Sequence, residues 1–284
     1  MRILLLGASG LLGRYVTLLG GHEWITVSRT PGNAAFSVDA SDAAALEKLV
    51  AAKKPDAVIN CVKNSFSSDM AETRREETWR SNVVVADNIA KLQKRFGYPI
   101  VHISSDWVYE GREGEVYTEE TIPYPQNFYS YSKAVAEERI AAQSDDFLIL
   151  RPTGLFGLDS RGGNFFMRAR DALGSGKEFG AAIDQFSQPI YAGELARIIG
   201  EALGKKARGI YNATGKDYCS RYELALMFCD AFGWDKALVR KTSGAGRAMR
   251  VPNFLKVDIT KLERGIAKVR PLREQVAALK GESG

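Results

Sequence analysis

Through the first half of the chain, short runs rich in Ile, Leu and Val alternate with longer stretches whose apolar positions recur every three or four residues. The runs Arg2–Leu6, Trp24–Ser28, Ala35–Val38, Ala57–Cys61, Ile100–Ile103 and Phe147–Leu150 read as strands. The stretches Leu11–Leu19, Ala43–Ala52, Ser81–Phe96 and Ser132–Ala142 carry helical patterns. Alternation of this kind predicts an α/β fold, a doubly wound parallel sheet with helices on both faces. From about Arg151 the rhythm changes: 157–163 is loop-rich, Gly174-Ser175-Gly176 breaks a helix, and shorter elements follow. The change of rhythm sets residues 1–150 apart from 151–284. Ser243–Arg247 reads as a mobile loop, and no internal repeat or low-complexity stretch is visible.

Composition narrows the picture. With 284 residues, 45% of them hydrophobic, the chain can bury a sizeable core. Its net charge of +5 is spread among nearly as many acids as bases, which describes a solvated surface with modest attraction for phosphorylated ligands rather than a nucleic-acid binder. Cys61, Cys219 and Cys229 lack metal-binding spacing, and only His22 and His102 join them, so neither a disulfide framework nor a metal site is expected. Cys61, Cys229 and His102 read as core residues. No apolar run approaches a membrane-spanning length, and the chain opens on a strand instead of a signal peptide, so the expected location is cytoplasmic.

Candidate chemistry begins where the first strand ends. Gly7-Ala8-Ser9-Gly10-Leu11-Leu12-Gly13 follows Arg2–Leu6 directly and has the G-x-x-G-x-x-G spacing. Such glycines allow a tight turn and close backbone approach, and the following helix points N–H groups at a pyrophosphate. Gly7, Ser9, Gly10, Leu11, Leu12 and Gly13 are thus the candidate cradle of a dinucleotide, and residues 1–150 the candidate NAD(P)-binding Rossmann domain. The second strand ends Val27-Ser28-Arg29-Thr30, with no carboxylate to repel a 2′-phosphate and with Arg29 able to pair with one. That favours NADP(H), with NAD(H) as the alternative.

Two further signals lie downstream. Tyr129 and Lys133 stand four residues apart at the start of a strongly helical segment, so they share a face from which Tyr131 points away. Ile100–Ile103 runs into Ser104-Ser105-Asp106, placing hydroxyls at the carboxyl end of a strand, where α/β sheets bind ligands. Alternation along the strand favours Ser105 over Ser104, which remains the runner-up.

With these residues in order, the chain resembles the extended short-chain dehydrogenase/reductases, and within them the dTDP-4-dehydrorhamnose reductase branch. The likeness is carried by residues 1–7, 55–60, Val101–Gly111, Tyr129–Lys133, Leu150–Thr153, Gly209–Asn212, Val251–Asp258 and Lys261–Glu263. It implies reduction of the 4-keto group of a nucleotide-linked deoxysugar, with Tyr129 as general acid, Ser105 holding the carbonyl oxygen, and Lys133 holding the nicotinamide ribose. A Lys133 ammonium about 4 Å away would also pull the Tyr129 phenol down toward neutrality.

The resemblance further implies that 151–284 form a smaller C-terminal α/β substrate lobe, some of whose segments return to the first domain, and that Asp39 meets the adenine, an alternative being a place at the next helix's N-terminus. Cys61, Val62 and Lys63 would line the cofactor floor, and Ser105, Asp106 and Gly154 would face the substrate. Gly154 stands where the family carries an aromatic, and Arg14-Tyr15 where some members carry a metal-binding acid. Asn164-Phe165-Phe166, Arg168, Asp184-Gln185 and Arg250 are candidates for the pocket or its lid. Two alternatives keep the fold: a sugar-nucleotide epimerase or dehydratase, and a non-catalytic NADP-binding regulatory subunit. The expected partner is the nucleotide sugar, a homodimer being open.

Overall fold

The computed structural model describes residues 1–30, 32, 34–64, 66–159, 162–244 and 249–282, so 245–247 of the expected loop lie outside them. The first half runs β1 (Arg2–Leu6), α1 (Leu11–Val16), β2 (Glu23–Ser28), β3 (Phe36–Ser37), α2 (Ala43–Lys53), β4 (Ala57–Asn60), α3 (Arg75–Trp79), α4 (Val85–Phe96), β5 (Ile100–Ile103), α5 (Phe128–Ala141) and β6 (Phe147–Arg151). The second runs α6 (Phe165–Leu173), β7 (Phe179–Ala182), β8 (Phe186–Ser187), α7 (Ala192–Gly204), β9 (Gly209–Asn212), β10 (Cys219–Ser220), α8 (Arg221–Phe232), β11 (Val239–Thr242), α9 (Thr260–Gly265) and α10 (Leu272–Gly281).

Seven strands form one parallel sheet in the order β3-β2-β1-β4-β5-β6-β9. Strand order reverses between β1 and β4, and the crevice at their carboxyl ends is where such sheets take ligands. Alternation along each strand sends neighbours to opposite faces, so both faces need cover. Ile3 and Leu5 join one core with α1, α6, α7 and α8. Leu4 and Leu6 join the other, with α2, α4 and α5. The later half is shared between layers: β9 extends the main sheet and α7 packs on α1, while β7–β11 and β8–β10 form two small sheets. No helix among the described residues is long and apolar enough to cross a membrane.

Local chemistry sets the boundaries that matter. The pattern-based helix Ser81–Phe96 is interrupted, because Arg80–Val84 forms a π turn between α3 and α4. α5 starts four residues earlier than its apolar pattern, because Asn127 and Ser130 close a capping box across its first turn. Glu72 adds a carboxylate that accepts from the Phe128 amide at 2.6 Å.

Further along α5, Glu137 meets Arg151 of β6 in a fork, with Nε–Oε1 3.0 Å and Nη2–Oε2 2.6 Å, both side chains no more than 5% exposed. The remaining Arg151 nitrogen donates to Tyr109 Oη at 2.7 Å, and that hydroxyl lies 2.8 Å from Asn212 Oδ1 of β9. Breaking a buried pair strands the surviving charge. Glu137→Ala is therefore expected to lower unfolding free energy by about 3–5 kcal/mol in urea titrations, and adding Arg151→Met to recover part of it. A loss under about 1 kcal/mol, the range of a surface pair, would contradict the assignment.

Candidate active site

The glycine loop is built by close approach. Gly7 has φ +78°, and a Cβ there would lie 2.8 Å from the Cys61 backbone; one on Gly13 would lie 2.3 Å from the Gly7 carbonyl oxygen. Only hydrogen fits at either place, which leaves the turn bare of side chains. Leu12 is buried in the core and Leu11 packs against it, so only their backbone faces the loop. Ser9 and Ser28 join by their hydroxyls at 2.9 Å, tying the turn to the end of β2, and Ser28 Oγ also accepts from the Thr30 amide at 3.2 Å. Arg29 follows, exposed beside this junction.

Asp39 does not cap α2; Asp42 does, accepting from the Ala45 amide at 3.0 Å. Burial raises the Asp39 carboxyl, yet the amide and hydroxyl of Ser41, with Arg80 and Arg29 nearby, outweigh it and hold the group ionised below its usual range. At the ends of β4 and β5, Cys61, Lys63 and Lys133 come within range of one another's charge. Burial pushes the Cys61 thiol up to about 12 against the pull of Lys133. Val62 is held through its amide by Asn60 Oδ1 at 3.1 Å.

Tyr129, on the first turn of α5, comes near enough to the Ser105 hydroxyl for it to act on the phenol, and packs edge-on against Trp107 at 5.8 Å. Of the two serines, then, Ser105 meets the phenol, while Ser104 Oγ is buried without a hydrogen-bond partner. Ser105 Oγ also accepts from the Trp107 amide at 3.2 Å. Tyr131 points away to an exposed cluster with Trp79 and Phe128.

The expected lowering of Tyr129 by Lys133 does not occur. Burial pushes the phenol up to about 12, with Ser105 opposing and the Asp106 charge adding to the rise; Lys133 is not among the groups acting on it. The reason is geometric. Lys133 Nζ donates to the Ile103 carbonyl at 2.9 Å, and burial together with Lys63 brings the ammonium down to about 8. Tyr129 is thus a firmly protonated phenol, the form a proton donor needs.

Asp106, expected to face the substrate, shares its surroundings with residues that the sequence reading does not single out. Asp106 is 1% exposed and one carboxyl oxygen has no hydrogen-bond partner; burial pushes it up to about 7, against Thr153, Arg221 and Ser105. Arg221 and Thr153 line a cavity beside it with Trp107, Gln185 and Ser187. Arg221 was findable, since Ser220-x-x-Glu223 is a capping-box spacing that puts it first in a helix. Asn82, in the π turn, donates to Ser132 Oγ at 2.8 Å and keeps a buried, unpartnered Oδ1; apolar periodicity cannot reveal such a turn.

Among the pocket candidates, Asn164 caps α6, Phe165 and Phe166 are core, and Arg250 offers its carbonyl to Asn127. Gln185 alone of that set lines the cavity. His102 is buried, with Nδ1 facing Asn60 Nδ2 at 3.0 Å and Nε2 unpartnered, so it is only partly satisfied. In α1, Tyr15 Oη donates to Glu282 at 2.9 Å and accepts from the Leu158 amide at 3.1 Å.

Comparison with known proteins places this geometry. The sequence model of the RmlD substrate binding domain family matches residues 1–282. The chain is 28% identical over 241 residues to a dTDP-4-dehydrorhamnose reductase of Aggregatibacter actinomycetemcomitans, covering 81% of this chain and 78% of that one. It is 27% identical over 290 residues to methionine adenosyltransferase 2 subunit beta of Xenopus laevis, covering 96% and 85%. A solved dTDP-4-dehydrorhamnose reductase of Clostridium acetobutylicum superposes with a TM-score of 0.90 at 26% identity, covering 100% and 99%.

Asp106 generates a pH test. Its folded value of about 7 lies above the ordinary 3.8, so between those limits the folded state holds the extra proton. Stability contributed by that proton is complete below about 4 and is lost as pH rises through about 7. Asp106→Asn should gain stability relative to the parent protein between pH 4 and 7 and hold that gain at pH 8. Urea titrations giving the same difference at pH 4 and pH 8 would refute this.

Proposed function

The chain belongs to the RmlD substrate binding domain family, and on that premise we propose that it is an NADPH-dependent reductase of the 4-keto group of a nucleotide-linked deoxysugar. The observation that carries this reading is the convergence of Ser105 and the protonated Tyr129, with Lys133 one turn along α5, at the carboxyl ends of strands beside the glycine turn. Reduction of a ketone needs a hydride on carbon and a proton on oxygen. NADPH, when bound, supplies the hydride.

The chain supplies the rest. Gly7 and Gly13 leave a cradle that any Cβ would fill, which fits a pyrophosphate against bare backbone. Arg29 gives a 2′-phosphate a planar set of donors, and Ser28 fixes the turn from which it projects. Asp39, Cys61, Val62 and Lys63 complete the cofactor side. Ser105 donates to the carbonyl oxygen of the substrate, and Tyr129 passes its phenolic proton to the oxygen as charge develops there. The resulting phenolate accepts from the Ser105 hydroxyl, while Lys133, anchored on the Ile103 carbonyl, offers its ammonium to the nicotinamide ribose. Asp106 and the surface around Gly154 face the sugar. Residues 1–150 carry the cofactor side and 151–284 mainly the substrate side. Three free cysteines and the absence of a spanning helix among the described residues support a cytoplasmic location.

A second reading, a cofactor-binding subunit without turnover, is favoured by the near full-length similarity to a protein named as a subunit of another enzyme. Kinetics separate the two. Tyr129→Phe is expected to lower turnover of a dTDP-4-keto-6-deoxysugar by about 10²–10⁴-fold while leaving NADPH affinity unchanged by calorimetry. Equal turnover in the variant removes Tyr129 from the chemistry. Arg29→Ala should weaken NADPH binding by about 10- to 100-fold and leave NADH binding unchanged, the loss of a charge-assisted phosphate contact; an equal effect on both cofactors contradicts the 2′-phosphate role.

A further inference from the structure

We propose that Tyr15, Tyr191 and Glu282 form a protein-only clasp that positions the cofactor helix α1, at the place where some members of the family carry a metal-binding acid. The inference rests on the cofactor half of the reading above and stands apart from turnover.

α1 needs an outside anchor. It is six residues long, with no side-chain cap at Gly10 and no acidic residue in its first turn. A helix of that length does not hold itself together in water, so packing from other elements must fix it. Tyr15, buried on α1, carries the anchor. Its Oη donates to Glu282 Oε2 at 2.9 Å and accepts from the Leu158 amide at 3.1 Å. Tyr191, the residue before α7, donates to Glu282 Oε1, and the two rings meet edge to face at 5.3 Å. One carboxylate thereby joins α1, the head of α7 and the end of α10. Gln275 keeps α10 in register, accepting from the Tyr191 amide at 2.8 Å about two helical turns before Glu282. The loop after β6 closes on the same phenol: a Cβ on Gly157 would lie 3.2 Å from the Tyr15 ring and 3.3 Å from Leu11 Cδ1. That loop therefore rests on the first turn of α1, next to the glycine turn.

The same residues do not fit a cation. Metal-binding side chains give up their protons to the bond, whereas Glu282 brings a single carboxylate and burial raises both phenols, with Glu282 adding to the rise. Among the described residues no group of three His, Cys, Asp or Glu could hold a metal ion. The two phenolic protons draw the carboxylate in, as a cation would. Without it they are left buried and lacking an acceptor, which costs more than a hydrogen bond contributes. A turn already held in shape spends less of the cofactor's binding energy on ordering.

Calorimetric titration with NADPH, and melting of the cofactor-free protein in EDTA and in magnesium chloride, test this on the parent protein, Tyr15→Phe, Glu282→Ala and the double variant. Each single variant should bind NADPH about 3- to 10-fold more weakly, the net worth of a hydrogen bond. The double variant should bind no more weakly than the worse single one, because both remove the same contact. Glu282→Gln, which keeps one acceptor oxygen, should recover part of the loss, and the parent protein should melt at one temperature in both solutions. A lowered melting temperature with NADPH affinity unchanged overturns the positioning role, as do unchanged affinities alone and losses that multiply in the double variant. Magnesium that raises the melting temperature of the parent protein but not of Glu282→Ala overturns the metal-free clasp. NADPH oxidation tests the reductase reading separately: affinity that depends on the clasp, without turnover of a dTDP-4-keto-6-deoxysugar, retains this inference and rejects that reading.

Discussion

Arg151 and Glu137 meet where water is excluded, and the rest of the site depends on their register. Their fork fixes the rotation and axial position of α5 against β6, while Asn127, Ser130 and Glu72 fix the first turn of the same helix. Between these two anchors lie Tyr129 and Lys133. A helix pinned at both ends cannot trade one face for another, so the phenol reaches Ser105 and the ammonium reaches the Ile103 carbonyl. The fork also extends through Tyr109 to Asn212 of β9, so the last strand of the sheet is tied to α5.

Burial sets the electrostatics around that helix. Tyr129, Lys133 and Asp106 are each moved toward their neutral forms, to about 12, 8 and 7, and in every case loss of solvent is the largest cause. Coulombic attraction between a lysine and a tyrosine, taken alone, suggests a phenol lowered toward neutrality. The protein does otherwise, because the ammonium has a backbone acceptor and a like charge in Lys63 beside it. A phenol that keeps its proton is suited to giving it to an oxygen on which negative charge is growing.

How far the sequence foretold this follows from which forces are local. Strand and helix alternation, the glycine turn and the spacing of Tyr129 and Lys133 depend on neighbours within a few residues, and they were legible. The π turn at Arg80–Val84 and the early start of α5 depend on hydrogen bonds that hydrophobic periodicity does not register. Asp39 stands open in the sequence between an adenine contact and the next helix's N-terminus, and only the hydrogen bond from the Ala45 amide to Asp42 takes the second place from it. Arg221 lies 115 positions after Asp106 in the chain, and only the return of α8 to the cavity brings the two into electrostatic contact; its capping box betrayed the helix but not the neighbour.

A reductase of this design must bring a hydride and the Tyr129 proton to the two ends of one carbonyl. The most direct measurement is mass spectrometry of a dTDP-4-keto-6-deoxysugar incubated with the protein and NADPH dideuterated at nicotinamide C4. One deuterium on the former carbonyl carbon for each NADPH consumed is the predicted result. A sugar altered with no net loss of NADPH, or bound and returned unchanged, would contradict it.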